Sequence, residues 1–217
     1  MFYETGSGSG HKKAGLAHSP LSALVVPRPI GWISTVAADG TVNLAPFSYF
    51  NLASYLPPMV MFAANGDHPE GGDKDTLKNV RDCGEFVVNL CTWDLRVKMN
   101  DTSTPAPRSV DEFELVGLTK APSRLVNPPR VAESPVHLEC RLLQVVELPG
   151  HEPTGTTNNV VFGRVVGVHI RDDLIVDGRV DILKVRPVSR LGYFDFAVID
   201  ELFEMRRPDW PLPSRED

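Results

Sequence analysis

Two segments limit what this chain can fold into. Residues 136–148, VHLECRLLQVVEL, alternate along their length. Val136, Leu138, Cys140, Leu142, Val146 and Leu148 share one face, interrupted by Gln144, and His137, Glu139, Arg141 and Glu147 fall on the other. Residues 158–170, NNVVFGRVVGVHI, form the longest β-branched run. A period of two over such lengths predicts two long strands, with 149–158 (Pro149-Gly150, then Gly155) joining them as a long hairpin loop. Residues 30–36 and 41–50 are also β-rich, with a hairpin turn signal at Asp39-Gly40. Residues 59–63 and 85–90 add two short apolar strands. KDTLKNVRDCG predicts a helix, with Leu77 and Val80 three apart, Asp73 placed to cap the start and Gly84 just past the end. A second short helix is expected over 92–99, capped by Thr92, and 101–135, rich in Pro and Ser, as an excursion with little regular structure. No repeat or interdomain linker interrupts this order. The fold class is mainly β, a barrel with short peripheral helices. Residues 1–20 form a flexible or extended arm, 21–200 the barrel domain and 201–217 a tail.

The 217 residues suffice for one large domain, and the formal net charge of −6 argues against a general nucleic-acid binder. No apolar run approaches the length that spans a bilayer, and the first twenty residues lack the order of a secretory signal. A cytoplasmic protein without a membrane partner is expected. Cys83, Cys91 and Cys140 are odd in number and lack CxxC spacing, which fits reduced, buried small hydrophobes.

Several familiar patterns fail on context. Gly6, Gly8 and Gly10 suggest a dinucleotide fingerprint, but no strand precedes them. The six histidines show no metal spacing, and His169, on a strand, is expected to be packed or hydrogen-bonded. No GxSxG elbow is present. The lack of an acid–base constellation suits a binding protein, and equally an enzyme whose reactive atoms belong to a cofactor.

One constellation survives. In PRPIGWISTVAADGTVNLAPFSYF, Ser34 and Thr35 are neighbouring hydroxyl residues on one strand, so their side chains point to opposite faces. Lys74 and Thr76 open a predicted helix, whose free N–H groups and partial positive charge suit a phosphate. An ammonium, two or three hydroxyls and several N–H groups would make a phosphomonoester site in an acidic chain. The alternative is that Asp73-Lys74-Asp75-Thr76 is only a polar first turn.

VVPRPIGWISTVAADGTVNLAPFSYFN resembles the signature of the flavin reductase-like, FMN-binding split-barrel proteins, and KDTLKNV, EFVVNL, HLECRLLQVVEL, VVFGRVVGVHI and RPVSRLGYFDFAVI follow in the same order. The resemblance covers roughly residues 20 to 200. It implies a split barrel, a homodimer, and FMN in a groove at or near the dimer interface. Carried over by position, Trp32, Ser34 and Thr35 lie on the strand that meets the cofactor. Ser34, Thr35, Lys74 and Thr76 receive the phosphate, and Phe47, Ser48, Tyr49 and Asn51 border the isoalloxazine. Arg190 reaches the flavin from near the second subunit. Members often carry Gly-Gly after the Arg-Leu, where this chain has Gly192-Tyr193. The GDHPEGGDKD loop, longer than reaching the helix requires, is expected to reshape the phosphate end. The implied activity passes electrons from NAD(P)H, or a redox partner protein, through FMN to a flavin, oxygen or a partner. The alternatives are a non-catalytic flavin carrier and a split-barrel binder of another cofactor such as haem, with His137 or His169 as axial ligand.

Overall fold

The computed structural model describes residues 1–5, 9–151 and 154–210. The strands that build it are β1 (Arg28–Pro29), β2 (Gly31–Val36), β3 (Val42–Phe47), β4 (Phe50–Ser54), β5 (Met59–Asn65), β6 (Glu85–Leu90), β7 (Val136–His151), β8 (Thr156–Ile170), β9 (Val188–Arg190) and β10 (Phe196–Val198). Its principal helices are α1 (Asp75–Cys83) and α2 (Arg96–Asp101), with a single turn, α3 (Glu112–Leu115), in the Pro-rich excursion. Seven strands form one antiparallel sheet in the order β3-β2-β6-β7-β8-β5-β4.

The edge strands β3 and β4 stand at opposite ends of that order, yet only Ser48 and Tyr49 separate them in the chain. So short a link spans at most about 10 Å, so the sheet must curl until its edges meet. The Phe47 and Phe62 rings, 4.9 Å apart, pack across the seam. The result is a barrel with an unpaired seam. The sequence pattern ran 41–50 as one strand, whereas the bend at 48–49 divides it because the chain must change edges there. Pro46 lies in β3, where a missing N–H costs nothing on the free edge.

The barrel interior holds Ile33, Val60, Phe62, Phe86, Cys140 and Val161, closed at one end by Leu77 and Val80 of α1. A second apolar layer, including Trp32, Leu44, Met99, Phe113 and Val131, lies on the opposite face of β2. The excursion thus contributes core despite its sparse secondary structure.

The long hairpin departs from simple alternation. β7 and β8 stay paired as far as His151 and Thr156, so most of the expected loop is strand. Gly163 pairs with Leu142 and Phe162 with Gln144, which leaves Leu143 as an extra, bulged residue. The bulge changes the phase: Val145, not Val146, packs on the core, and Gln144 faces outward. Gly163 is also where the Phe86 ring approaches the backbone, and a Cβ there would lie 2.2 Å from Phe86 Cζ. Gly163→Ala is expected to cost about 1–3 kcal/mol through overpacking, measurable as a shifted urea midpoint at unchanged slope.

Other expectations shift locally. Lys74, not Asp73, occupies the α1 N-cap position, and it makes no side-chain cap; Asp73 pairs instead with Arg81. Gly84 closes α1 in the left-handed region, φ 73°, as expected. The 92–99 helix is a 3-10 turn, Trp93–Leu95, followed by α2, and Thr92 makes no side-chain cap. Cys91 and Cys140 are buried, whereas Cys83, the last residue of α1, is exposed because it faces away from the barrel. In the N-terminal arm, Gly10–Lys13 form one helical turn, and Gly6 and Gly8 lie outside the described residues. No helix among the described residues is long and apolar enough to cross a membrane.

Candidate functional site

A cleft of about 410 Å³ runs along the free edge of β3. Its floor is Asn43, Ala45, Pro46 and Phe47; one end is Lys74 and Thr76, and its outer wall is 102–106. The floor is backbone because β3 is an edge strand. In the antiparallel ladder with β2, alternate residues turn N–H and C=O outward together. Leu44 is one of these, since its N–H donates to Glu112 Oε2 at 2.9 Å.

The end that the sequence assigns to a phosphate is built by α1. The N–H groups of Asp75, Thr76 and Leu77 precede the first intrahelical bond, and no side chain caps them. Lys74 is half-buried, and among the described residues its ammonium has no hydrogen-bond or ion-pair partner. Burial pushes its pKa down, and the Asp67 carboxylate opposes that shift. The Thr76 hydroxyl accepts from Asn43 Nδ2 at 2.8 Å, which leaves its own proton to donate. Asp75 is matched by Arg108 and His68, the latter 3.4 Å away, so its charge is largely spent within the protein. Arg108 also donates to the carbonyls of Gly71 and Asp73, which holds the loop that brings Asp67, His68 and Pro69 onto the cleft.

The hairpin hydroxyls serve this end from behind. Thr35 is fully buried and its Oγ1 accepts from Asn79 Nδ2 at 3.0 Å and Asn43 Nδ2 at 3.4 Å. Asn43 therefore bridges Thr35 to Thr76 and fixes the tip of α1 against β2 and β3. Ser34 faces the other way, as strand alternation requires. It donates to Pro129 O at 2.5 Å and accepts from Asn89 Nδ2. Trp32, on Ser34's side, is fully buried, and its Nε1 donates to Thr102 Oγ1 at 2.9 Å. The structure thus does not bring Trp32, Ser34 or Thr35 onto the cleft surface. Trp32 holds the wall through Thr102, Thr35 holds the helix tip, and Ser34 anchors the covering segment.

Phe47 lines the cleft from the barrel core. Ser48 and Arg190 line an adjoining hollow of about 330 Å³, which shares Pro46 and Ser103 with the cleft. Tyr49 and Asn51 line neither space. Tyr49 has the Arg28 guanidinium 5.6 Å from its ring centre, and Asn51 accepts from its neighbour's Leu52 N–H. Tyr193, in place of a second glycine, adopts φ 53°, and its carbonyl accepts from Arg190.

Three contributors were not singled out from sequence: Asn43, the Thr102–Ser103–Thr104 wall, and Glu112. Burial pushes the Glu112 carboxyl up to about 6, helped by Asp75 and Asp111 and opposed by the Leu44 hydrogen bond. Above that pH a carboxylate faces the cleft. Glu112→Gln keeps an acceptor for Leu44 N–H and removes the charge. If the cleft holds FMN as the resemblance implies, the change tightens its binding at pH 8 by roughly three- to tenfold, with the gain vanishing by pH 5. Riboflavin should bind both proteins alike, and fluorescence titration checks each arm.

His137 and His169 are committed elsewhere. His137 Nε2 lies 2.8 Å from Val131 O, and burial, reinforced by Arg130 and His169, pushes its pKa down to about 4. His169 Nε2 is 2.5 Å from Glu139 Oε1. Neither is offered to a haem iron. Among the described residues no three His, Cys, Asp or Glu side chains gather to hold a metal ion.

Residues 23–183 match the model of the flavin reductase like domain. The chain belongs to the flavin reductase-like family. An uncharacterised protein from Halalkalibacterium halodurans is 38% identical over 190 residues, 87% of this chain and 89% of its own. Nitrilotriacetate monooxygenase component B from Bacillus cereus is 30% identical, covers 94% of this chain and 98% of its own, and superposes with a TM-score of 0.84. A split-barrel domain protein from Shewanella frigidimarina, 21% identical over 95% and 99% of the two chains, superposes at 0.77 and shows the fold alone. The seam between β3 and β4 is thus that of a split barrel, and membership places the chain among flavin-related oxidoreductases.

Proposed function

We propose that the protein holds FMN in the β3 cleft and works as a flavin reductase-type oxidoreductase. The observation that carries this reading is the unpaired, half-buried Lys74 ammonium beside the uncapped N-terminus of α1, at one end of a cleft floored by strand backbone. That donor set fits a singly phosphorylated ligand: an ammonium, a hydroxyl proton from Thr76 and three N–H groups. Along the floor, the outward C=O groups of β3 can accept from the N3–H of a flavin ring, while Leu44 N–H is spent on Glu112 and Pro46 has none to offer. Bound FMN would supply the redox chemistry, between reduced NAD(P)H and a flavin, oxygen or partner protein acceptor.

The chain's own task is then to hold and shield. Phe47 walls the cleft on the barrel side, Ser103 and Thr104 on the other, and Arg190 brings positive charge to the end remote from Lys74. We place the protein in the cytoplasm as a homodimer. The exposed apolar residues Leu52, Tyr55 and Leu56, in and after the edge strand β4, support a partner copy there.

Freshly purified protein is expected to release FMN on denaturation, and anaerobic NADH or NADPH to bleach the bound flavin. Bound flavin that neither donor bleaches would make the protein a carrier. A colourless protein that takes up no FMN would end the reading.

A further inference from the structure

Beyond the cleft and its adjoining hollow lies a third space of about 460 Å³, lined by Trp93, Arg96, Val97, Arg190, Phe194 and Phe196 among others. It shares Met99, Asn100, Arg190, Phe194 and Phe196 with the hollow, which in turn shares Pro46 and Ser103 with the cleft. One trough therefore runs from Lys74 to Trp93, and the third space occupies the end away from the phosphate site. Its chemistry is unlike the rest. The Arg96 guanidinium lies 3.7 Å from the centre of the Trp93 ring and donates to Trp93 O, which fixes its direction. Arg186 approaches the same ring at 5.5 Å, and Arg190 lies 4.4 Å from the Phe196 ring centre. Phe194 lines both spaces yet keeps 92% of its surface exposed.

The geometry points to this end of the trough as the seat of the adenosine diphosphate half of the nicotinamide donor. The inference rests on the FMN oxidoreductase reading above. Two guanidiniums held against aromatic rings match a diphosphate, whose oxygens take paired N–H groups. An exposed phenyl ring beside them offers a stacking face for adenine. A ligand anchored here reaches back along the trough toward β3, so its nicotinamide end would meet the flavin ring and not the phosphate. The adenylate of a flavin dinucleotide would instead extend from the Lys74 end, where Asp67 and Glu112 oppose further anionic groups.

The test uses FMN-loaded wild type, Arg96→Ala and Phe194→Ala, with near-UV circular dichroism and FMN affinity confirming that each variant is folded. Phe194 is so exposed that its removal leaves packing intact. ADP-ribose is expected to bind wild type by calorimetry and to lose about tenfold or more in affinity in Arg96→Ala. The KM for the dinucleotide should rise similarly in both variants, while turnover with reduced nicotinamide mononucleotide, which lacks the adenylate, stays unchanged. Equal losses with both donors, or unchanged ADP-ribose binding, would overturn the assignment with the reductase reading intact. ADP-ribose binding that depends on Arg96 in a protein no donor can reduce would uphold the nucleotide seat and overturn the reductase reading.

Discussion

Replacing Lys74 by alanine is expected to weaken FMN binding by roughly ten- to a hundredfold, the worth of one charge-assisted hydrogen bond at about 1.5–3 kcal/mol. Riboflavin binding should change little, because only FMN presents a phosphate to that ammonium. The asymmetry follows from position: Lys74 lies at the helix tip, at one end of the cleft, and among the described residues its ammonium has no hydrogen-bond or ion-pair partner, only the longer-range pull of Asp67. Its lowered pKa marks the cost of burying the charge without a partner, a cost that an anion in the cleft would offset. Thr76→Val should give a smaller loss of the same kind, and Asn43→Ala a loss combined with lower stability, because Asn43 ties the tip to two strands. Fluorescence quenching of both flavins measures each case. Equal losses for FMN and riboflavin in Lys74→Ala would remove Lys74 from the phosphate site.

The largest expected stability effect lies away from the cleft, at Glu139. Its side chain is fully buried on the outer face of β7. It accepts from Arg124 N–H at 2.8 Å and Leu125 N–H at 2.6 Å, and it pairs with His169. One carboxylate thus pins the covering segment to the sheet, which Ser34 through Pro129 and Asn89 through Val131 also hold. Glu139→Ala would strand two N–H donors and an imidazole, at a cost of about 3–5 kcal/mol. For a chain of this size that lowers Tm by roughly 6–20 °C.

The pH dependence has a definite sign. Burial alone would raise the Glu139 pKa, but the two N–H donors and His169 outweigh it and hold the carboxyl below its ordinary value. A depressed carboxylate stabilises the fold above its unfolded pKa of about 4.3 and loses that contribution as pH falls through the folded value. The Tm gap between wild type and Glu139→Ala should therefore be full at pH 7 and shrink below pH 4. A gap that stayed constant into acid would mean the carboxylate's charge contributes nothing.

Much of this was legible in the chain because strand alternation is a local signal. The hairpin at Asp39-Gly40, the long strand pair and the α1 segment with Gly84 in the left-handed region all follow from neighbouring residues. The meeting of Lys74 and Thr76 at one end of the cleft was legible for the same reason, since both stand at the start of one helix. What alternation could not reveal were events set by distant contacts. The Leu143 bulge arises where Phe86 crowds Gly163, and it moves Val145 into the core at the expense of Val146. The bend at 48–49 exists because the barrel has to close. Ser34 and Thr35 were correctly placed on opposite faces, but which face met the cleft depended on what the excursion covers. Pro129, 95 residues away, claims the Ser34 hydroxyl. Nothing in the sequence around Glu112 signals that it turns inward, because the Leu44 N–H it accepts from belongs to β3, 68 residues away.

The central claim is that the tip of α1 clasps a phosphate. Its most direct test is a calorimetric titration of flavin-free protein with FMN and with riboflavin under identical conditions. FMN is expected to bind at least tenfold more tightly, with the excess lost when inorganic phosphate at high concentration occupies the helix tip. Equal affinities for the two flavins, or an FMN advantage indifferent to phosphate, would contradict it.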